Sequence, residues 1–248
     1  MRSSAAAGMD SAAARRLFAL LEQHSPGPAE HDYSAEARKL FATLGEGDSA
    51  SYHDMDALWR DPTTGGIIFV GNESAARGPL SYFKAADITH VVNATDDLPN
   101  FCDGGVKYMR FHAAHHMRHS GDSRSLLDFV TPLFRFVDEA LSAGNNVLVH
   151  CLAGAHRAGT TGCLLLMWKE ALSAADATAL AQQRRPVINP IGTLPQLLAR
   201  FEALRRTSSA WDGWEREARA AFEARVAASV LGEAEDARLE QVMTTDVL

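Results

Sequence analysis

The sequence predicts an α/β fold, with a central, mostly parallel sheet flanked by helices and with helical extensions at both ends. Short runs of β-branched and aliphatic residues, typical of buried strands, alternate with segments whose apolar residues recur at helical spacing. The hydrophobic fraction, 46%, is ample for a core. One apolar run leads directly into a loop that opens a helix, as at the carboxyl edge of a parallel sheet.

The N-terminal part of the chain predicts two helices outside the main domain. Three leucines share one face of the segment 9–24, and helical spacing resumes over 33–44 after the breaker Ser25-Pro-Gly-Pro28. Arg15-Arg16-Leu17-Phe18-Ala19-Leu20 also resembles a kinase docking peptide, which makes a kinase a candidate partner, although an amphipathic helix produces the same pattern. We therefore divide the chain into an N-terminal helical extension (1–58), a central domain (59–206) and a C-terminal helical extension (207–248).

Within the central domain, four runs predict strands. Gly104-Gly105 supplies a turn before the third, and Pro132 should kink the longest helix or delay its start. Ser173 caps a later helix, which Pro186 ends. The predicted strands are a short one within 65–72, closed by a turn, and 88–93, 106–111 and 147–149. The predicted helices are 80–86, 125–142, 157–168, 173–185 and 192–204.

The loop after the last predicted strand is a candidate phosphate site. Cys151 and Arg157 bracket it, with Gly154 at its middle. The helix that begins near Arg157 leaves its first N–H groups without internal partners, and its dipole adds positive charge at the same end. Arg157 would grip two phosphate oxygens. The predicted phosphate-binding residues are Leu152, Ala153, Gly154, Ala155, His156 and Arg157.

The position of Cys151 in this loop indicates a nucleophile. Its sulfur would face the phosphorus, and the N–H groups and Arg157 favour the thiolate, which is the reactive form. This implies covalent catalysis through a cysteinyl-phosphate. A buried core cysteine beside a surface charge is the alternative, but the match extends from a clean apolar strand to an apolar helix.

Composition excludes several function classes. The net charge of −7 argues against a nucleic-acid partner. We expect no membrane span, since every apolar run is too short, and no secretory signal, since the N-terminus lacks an apolar core. Three scattered cysteines suit a reducing compartment, so we expect a cytoplasmic protein, with the nucleus or an organelle left open.

Four blocks in the chain resemble the cysteine-dependent dual-specificity phosphatases of the protein tyrosine phosphatase superfamily. They are Ile68-Phe-Val-Gly-Asn72, Ile88-Thr-His-Val-Val-Asn93, Ala143-Gly-Asn-Asn-Val-Leu-Val-His-Cys151 and Arg185-Pro-Val-Ile-Asn-Pro190. The resemblance, from about Gly66 to Glu202, implies a catalytic domain of that fold with no metal and no cofactor. It implies two-step hydrolysis of phosphotyrosine and/or phosphoserine and phosphothreonine esters, with a phosphorylated protein as the substrate. It also gives His150 the role of orienting the loop and tuning the thiol.

Two departures from the family pattern affect the chemistry. Ala158 replaces the usual Ser or Thr, whose hydroxyl assists the second step, so slow hydrolysis of the phosphoenzyme is expected unless Thr160 or Thr161 substitutes. The family's general acid is an aspartate about thirty residues before the cysteine. When the third predicted strand is aligned with the family pattern, His115 falls at the position of this aspartate. Asp122 lies further along the same loop, which is longer here than usual, and is slightly favoured. A pseudophosphatase that binds phosphate without turnover, and a scaffold acting through its terminal helices, remain alternatives.

Two further residue patterns narrow the ligand. On a helix, His112, His115, His116 and His119 would share one face, but no carboxylate or cysteine completes a metal site, and we predict no metal. Phosphoinositide phosphatases of related type have lysines in the loop, where this chain has Leu152 and Ala155. A protein phosphate ester is therefore favoured over an inositol lipid.

Overall fold

The computed structural model describes residues 31–45, 52–102, 104–119 and 123–245, with side-chain environments for 31–43, 52–102, 104–119 and 124–228. The predicted helix 9–24 with its docking-like segment 15–20, and Asp122, lie outside the described residues. The chain divides into two units, Met1–Asp32 and Tyr33–Leu248, and every element below belongs to the second.

The described residues contain a sheet of five strands in the order β1-β2-β5-β3-β4. Strand β1 pairs antiparallel with β2, and all other neighbours are parallel, which confirms the predicted mostly parallel α/β fold. Strand β1 was not predicted and straddles the proposed boundary at residue 59. The strands are β1 (Met55–Arg60), β2 (Ile67–Gly71), β3 (Ile88–Asn93), β4 (Lys107–Arg110) and β5 (Asn146–His150).

Helices cover both faces of this sheet. They are α1 (Tyr33–Gly45), α2 (Glu73–Ala76), α3 (Leu80–Ala85), α4 (Ser123–Ser142), α5 (Arg157–Lys169), α6 (Ala174–Arg184), α7 (Leu194–Thr207) and α8 (Ser209–Thr245), with a 3₁₀ helix over Ala113–Arg118. Ser173 caps α6 as predicted, accepting a hydrogen bond from the Asp176 N–H. Pro132 lies inside α4, whose start is not delayed. Among the described helices, none has the length and hydropathy needed to cross a bilayer.

Strand β5 is the buried centre of the sheet. All five of its residues are buried, as expected for a strand with parallel neighbours on both sides. Val147 and Val149 belong to the larger core, whereas Leu148 packs with Val91 and Phe83 in a smaller core. Because successive side chains of a strand alternate between faces, β5 joins the two cores and carries its C-terminal end, His150, to the edge where the loop begins.

The start of the C-terminal extension packs on the central domain. Trp211 in α8 is 1% exposed, and its ring meets Phe201 of α7 edge to face with centroids 5.2 Å apart. Phe134 of α4 contacts both Trp211 and Trp214. Such aromatic pairs add about 0.5–1.5 kcal/mol each beyond their buried area. The first turns of α8 are therefore part of the core rather than a separate module.

Candidate active site

The loop between β5 and α5 brings Cys151 and Arg157 to the two ends of one short turn. Strand β5 ends at His150, and α5 begins at Arg157. Cys151 and Arg157 are 3% and 6% exposed. The sequence analysis predicted this arrangement from a contiguous motif, and the structure brings together all the loop residues it named.

Gly154 allows the loop to pass over the end of β2. Its φ is +65°, a left-handed conformation that side chains other than glycine adopt at a cost of about 1–2 kcal/mol. A Cβ at this position would lie 2.6 Å from the Gly71 carbonyl oxygen and 2.7 Å from Arg185 Nη2. Both the conformation and the close approach require glycine.

Arg185 holds the carbonyl groups of the loop from behind. Its side chain is 1% exposed, and it donates from Nε to the Gly154 carbonyl (3.0 Å) and from Nη2 to the Ala153 carbonyl (3.2 Å). Asp56 accepts from Nη1 at 2.5 Å and neutralises the buried charge. Because N–H and C=O point in opposite directions across a planar trans peptide, the N–H groups that follow these carbonyls face away from Arg185. That side of the loop can receive an anion.

The second half of the loop is fixed by the segment that follows α6. His156 Nδ1 lies 2.7 Å from the Asn189 carbonyl oxygen, and the Asn189 N–H donates to the Ala155 carbonyl at 3.1 Å. The sequence analysis gave the block 185–190 only as a point of family resemblance. In the structure this block is the support of the phosphate loop.

His150 is fully buried at the end of β5. Burial, together with the positive charges of Arg110 and Arg157, lowers the pKa of His150 to about 4. The imidazole is therefore neutral at neutral pH. It can influence the Cys151 thiol through orientation and hydrogen bonding, but it adds no positive charge beside the sulfur.

Arg157 is surrounded by groups that sequence reasoning did not assign to the site. Asp97 Oδ1 lies 3.8 Å from Nη1, and the Ser34 hydroxyl accepts from Nη2 at 3.3 Å. The guanidinium also lies 5.9 Å from the centre of the Tyr33 ring. Ala37, one turn further along α1, packs against the loop residues Ala153 and Ala155. Helix α1, which the sequence analysis placed in the N-terminal extension, thus borders the phosphate loop.

The two threonines that follow Ala158 have their hydroxyls engaged elsewhere. Thr160 Oγ1 donates to the His156 carbonyl at 2.7 Å, and Thr161 Oγ1 donates to the Arg157 carbonyl at 2.9 Å. A hydroxyl has a single proton to donate. In this arrangement neither threonine supplies the hydrogen bond that Ala158 lacks.

Of the two predicted general acids, only His115 is among the described residues. Asp122 lies outside the described residues. His115 is in the 3₁₀ helix, with Nε2 3.6 Å from Asp96 Oδ1. A second cysteine near the loop, Cys163, is a core residue of α5, and burial raises the pKa of its thiol to about 12.

Comparisons with known proteins identify the family to which this chain is similar. The family model for the dual specificity phosphatase catalytic domain matches residues 68–203. Dual specificity protein phosphatase Mpk3 of Drosophila melanogaster is 35% identical over 140 residues, which is 56% of this chain and 33% of that protein. Human dual specificity protein phosphatase 9 is 37% identical over 105 residues, 42% of this chain and 26% of that protein.

Structural comparison supports the same fold. The crystal structure of human DUSP28 superposes with a TM-score of 0.50 at 22% identity, covering 62% of this chain and 97% of that chain. The chain spans about a third or less of the length of these curated relatives, Mpk3 and phosphatase 9. Since the family model matches more than half of its residues, the chain belongs to the dual specificity phosphatase family of the protein tyrosine phosphatase superfamily.

Proposed function

We propose that this chain is a protein phosphatase that hydrolyses phosphotyrosine and/or phosphoserine and phosphothreonine esters through a cysteinyl-phosphate on Cys151. One observation carries the proposal: Cys151 and Arg157 flank a loop whose carbonyls are tied back to Arg185, so that N–H groups are presented on the other side. Membership of the dual specificity phosphatase family supports protein phosphatase activity. The phosphorylated protein is the substrate, and the thiol nucleophile suits a reducing, cytoplasmic location.

In the first step, the Cys151 thiolate attacks phosphorus while the bond from phosphorus to the ester oxygen breaks. The loop N–H groups and Arg157 hold the non-bridging oxygens and stabilise the charge spread over them. The departing oxygen takes a proton from a general acid, and the phosphoryl group stays on sulfur. In the second step, water attacks the cysteinyl-phosphate and releases inorganic phosphate and the thiolate.

The functional test uses a small aryl phosphate with the full chain. We expect hydrolysis by the wild type, its loss in Cys151→Ser, and its retention in Cys102→Ser, a control for removal of a different thiol. A second candidate function, a phosphate-binding pseudophosphatase, is favoured by Ala158 and the engaged hydroxyls of Thr160 and Thr161. Equal inertness of the wild type and Cys151→Ser, with phosphopeptide binding intact, would replace the catalytic proposal with this one.

The general acid requires its own experiment, because activated leaving groups depend little on a proton donor. Asp122 and His115 are the candidates from the sequence, and Asp97 joins them because its carboxylate lies 3.8 Å from Arg157. Rates of Asp122→Asn, His115→Gln and Asp97→Asn are compared on aryl phosphates with weakly and strongly basic leaving groups. Loss of the acid should cost about 10²–10⁴-fold on the strongly basic leaving group and much less on the weakly basic one.

The proton donor is the residue whose variant loses activity on the strongly basic leaving group but not on the weakly basic one. A variant that loses activity equally on both leaving groups has lost binding or folding rather than proton donation. If all three variants keep the same dependence on leaving-group basicity as the wild type, none of these residues donates the proton, and this part of the proposal fails.

A further inference from the structure

Two loops beside the phosphate site bring a carboxylate and two imidazoles together. Asp96 follows β3, and His112 and His115 lie at the start of the segment that follows β4. Because β3 and β4 are parallel neighbours, with Asn93 opposite Arg110, their carboxyl ends meet at the same edge of the sheet. The topology therefore supplies the carboxylate that the histidine segment lacks in the sequence.

The donor atoms of this cluster are close together. His112 Nδ1 contacts Asp96 Oδ1, and His115 Nε2 lies 3.6 Å from the same oxygen. The two imidazole rings stack with centroids 4.8 Å apart and an angle of 12° between planes. One ligand atom from each residue lies within 4.8 Å of the other two. Zinc bonds of 2.0–2.1 Å place tetrahedral ligands roughly 3.3 Å apart, which is close to the spacing of these atoms. Because a metal lies in the plane of each imidazole that binds it, one of the two stacked rings must rotate for both to bind the same ion.

The other two histidines of the segment are occupied in the packing. His116 is buried, with Nε2 2.9 Å from the Thr193 carbonyl oxygen. His119 packs its ring on Phe129, with centroids 4.5 Å apart. The structure therefore separates the four histidines that the sequence places on one helical face. His112 and His115 turn toward Asp96, and their side chains are 37% and 20% exposed, so an ion can reach them from solvent.

We propose that Asp96, His112 and His115 bind a zinc-class divalent cation, with the remaining coordination position open to water. Two imidazoles and one carboxylate are a common three-ligand set for zinc. Magnesium and calcium prefer oxygen ligands throughout. Coordination through His115 Nε2 puts the ring proton on Nδ1, so the exposed Arg118, whose Nη1 lies 3.4 Å from that nitrogen, would have to move away when the metal binds.

The test is a calorimetric titration of the full chain with zinc alone. The Cys151→Ser variant is the starting protein, because a thiolate would itself bind zinc. We expect a stoichiometric site whose affinity falls at least about tenfold in Asp96→Asn and in His112→Gln, the loss typical of even an outer-shell partner. His53→Gln is the matched control, since His53 forms an exposed pair with Asp56 at 2.9 Å without a second imidazole; it should leave the affinity unchanged.

Cobalt provides a second readout that is independent of activity. Co²⁺ in the proposed site should give visible ligand-field bands without sulfur-to-metal charge transfer, and these bands should disappear in the double variant His112→Gln, His115→Gln. Absence of stoichiometric zinc binding would overturn the proposal and leave the cluster as ion pairs only. Binding of unchanged affinity in Asp96→Asn and His112→Gln would also overturn it, as would a charge-transfer band that assigns the metal to a cysteine.

Discussion

Replacing Gly154 by alanine tests whether the phosphate loop depends on its close passage over β2. Gly104 is the matched control, because it also has a positive φ, +82°, but a Cβ there would meet nothing within 4 Å. Gly104→Ala should therefore cost only the left-handed conformation, about 1–2 kcal/mol of unfolding free energy. Gly154→Ala should cost this amount and a steric term.

The steric term follows from the two atoms that the new methyl group would meet. The Gly71 carbonyl oxygen belongs to β2, which is paired on both sides, and Arg185 Nη2 is part of a fully buried guanidinium. Neither can move cheaply, and overpacking of this kind costs about 1–3 kcal/mol. The total for Gly154→Ala is then about 2–5 kcal/mol, which lowers the melting temperature of a domain of this size by roughly 4–20 °C.

Urea and thermal unfolding of both variants measure this difference, and binding of inorganic phosphate measures its effect on the site. We expect Gly154→Ala to be less stable than Gly104→Ala by about 1–3 kcal/mol and to bind phosphate more weakly. Equal stability of the two variants, with phosphate binding intact, would refute the reasoning that close contact with β2 and Arg185 shapes the loop.

Three further changes test the groups around the loop. Arg185→Met should lower the unfolding free energy by about 3–5 kcal/mol, because it leaves the half-buried Asp56 with only the exposed His53 beside it and leaves the Ala153 and Gly154 carbonyls without their donor; urea unfolding measures this, and a loss below about 1 kcal/mol would contradict it. Folding lowers the pKa of His150 from its ordinary 6.5 to about 4, so between these two pH values the unfolded state binds more protons than the folded state. The free energy of unfolding is therefore highest above pH 6.5 with respect to this group, and it decreases as the pH falls toward 4. Between pH 7 and 5 the wild type should therefore lose about 2 kcal/mol more unfolding free energy than His150→Gln, whereas equal losses would place the imidazole in a more polar environment. Ala158→Ser should restore a hydroxyl that donates a hydrogen bond to the Cys151 thiolate, and such a bond to a charged group contributes about 1.5–3 kcal/mol. Hydrolysis of the phosphoenzyme should then be roughly 10–100-fold faster, which is measured as a higher steady-state rate after the burst. An unchanged steady-state rate would contradict this and show that another step limits turnover.

The parts of the fold that sequence reasoning predicted are those with a local pattern. The run Val147–Val149 is uniformly apolar because β5 is buried on both faces, and Ser173 caps its helix as predicted. Strand β1 was missed for a physical reason. Its register with β2 shifts between Ala57 and Trp59, and such a bulge breaks the alternation of buried and exposed residues that identifies a strand.

The position of α1 could not be predicted from its own residues. Helical spacing indicates that Tyr33–Gly45 has an apolar face, but the partner of that face lies more than one hundred residues away in the loop. The contact is made by Ala37 against Ala153 and Ala155, and small residues carry little hydrophobic signal. The same applies to Arg185, since its charge, directly after that of Arg184 in the sequence, gives no sign that its side chain is buried beneath the loop.

The loop between Cys151 and Arg157 could be located from the sequence because its residues are contiguous, whereas the groups around it come from separate loops. Asp96 and Asp97 are adjacent in sequence but face different partners: the first contacts His112, and the second lies beside Arg157. Only the parallel pairing of β3 with β4 and β5 brings these partners to one edge. Neighbouring strand ends thus generate both the charge beside the phosphate site and the imidazole cluster.

This common origin has a chemical consequence for His115, which is both a candidate general acid and a ligand of the proposed cation site. A nitrogen lone pair that coordinates a metal holds no proton to donate, so metal binding and proton donation exclude each other at Nε2. If His115 is the donor, a cation bound with Asp96 removes the acid and leaves the nucleophile and Arg157 in place. If Asp97 or Asp122 is the donor, the cation leaves proton transfer intact. The identity of the acid therefore decides whether the cation site regulates the chemistry or only stabilises the two loops.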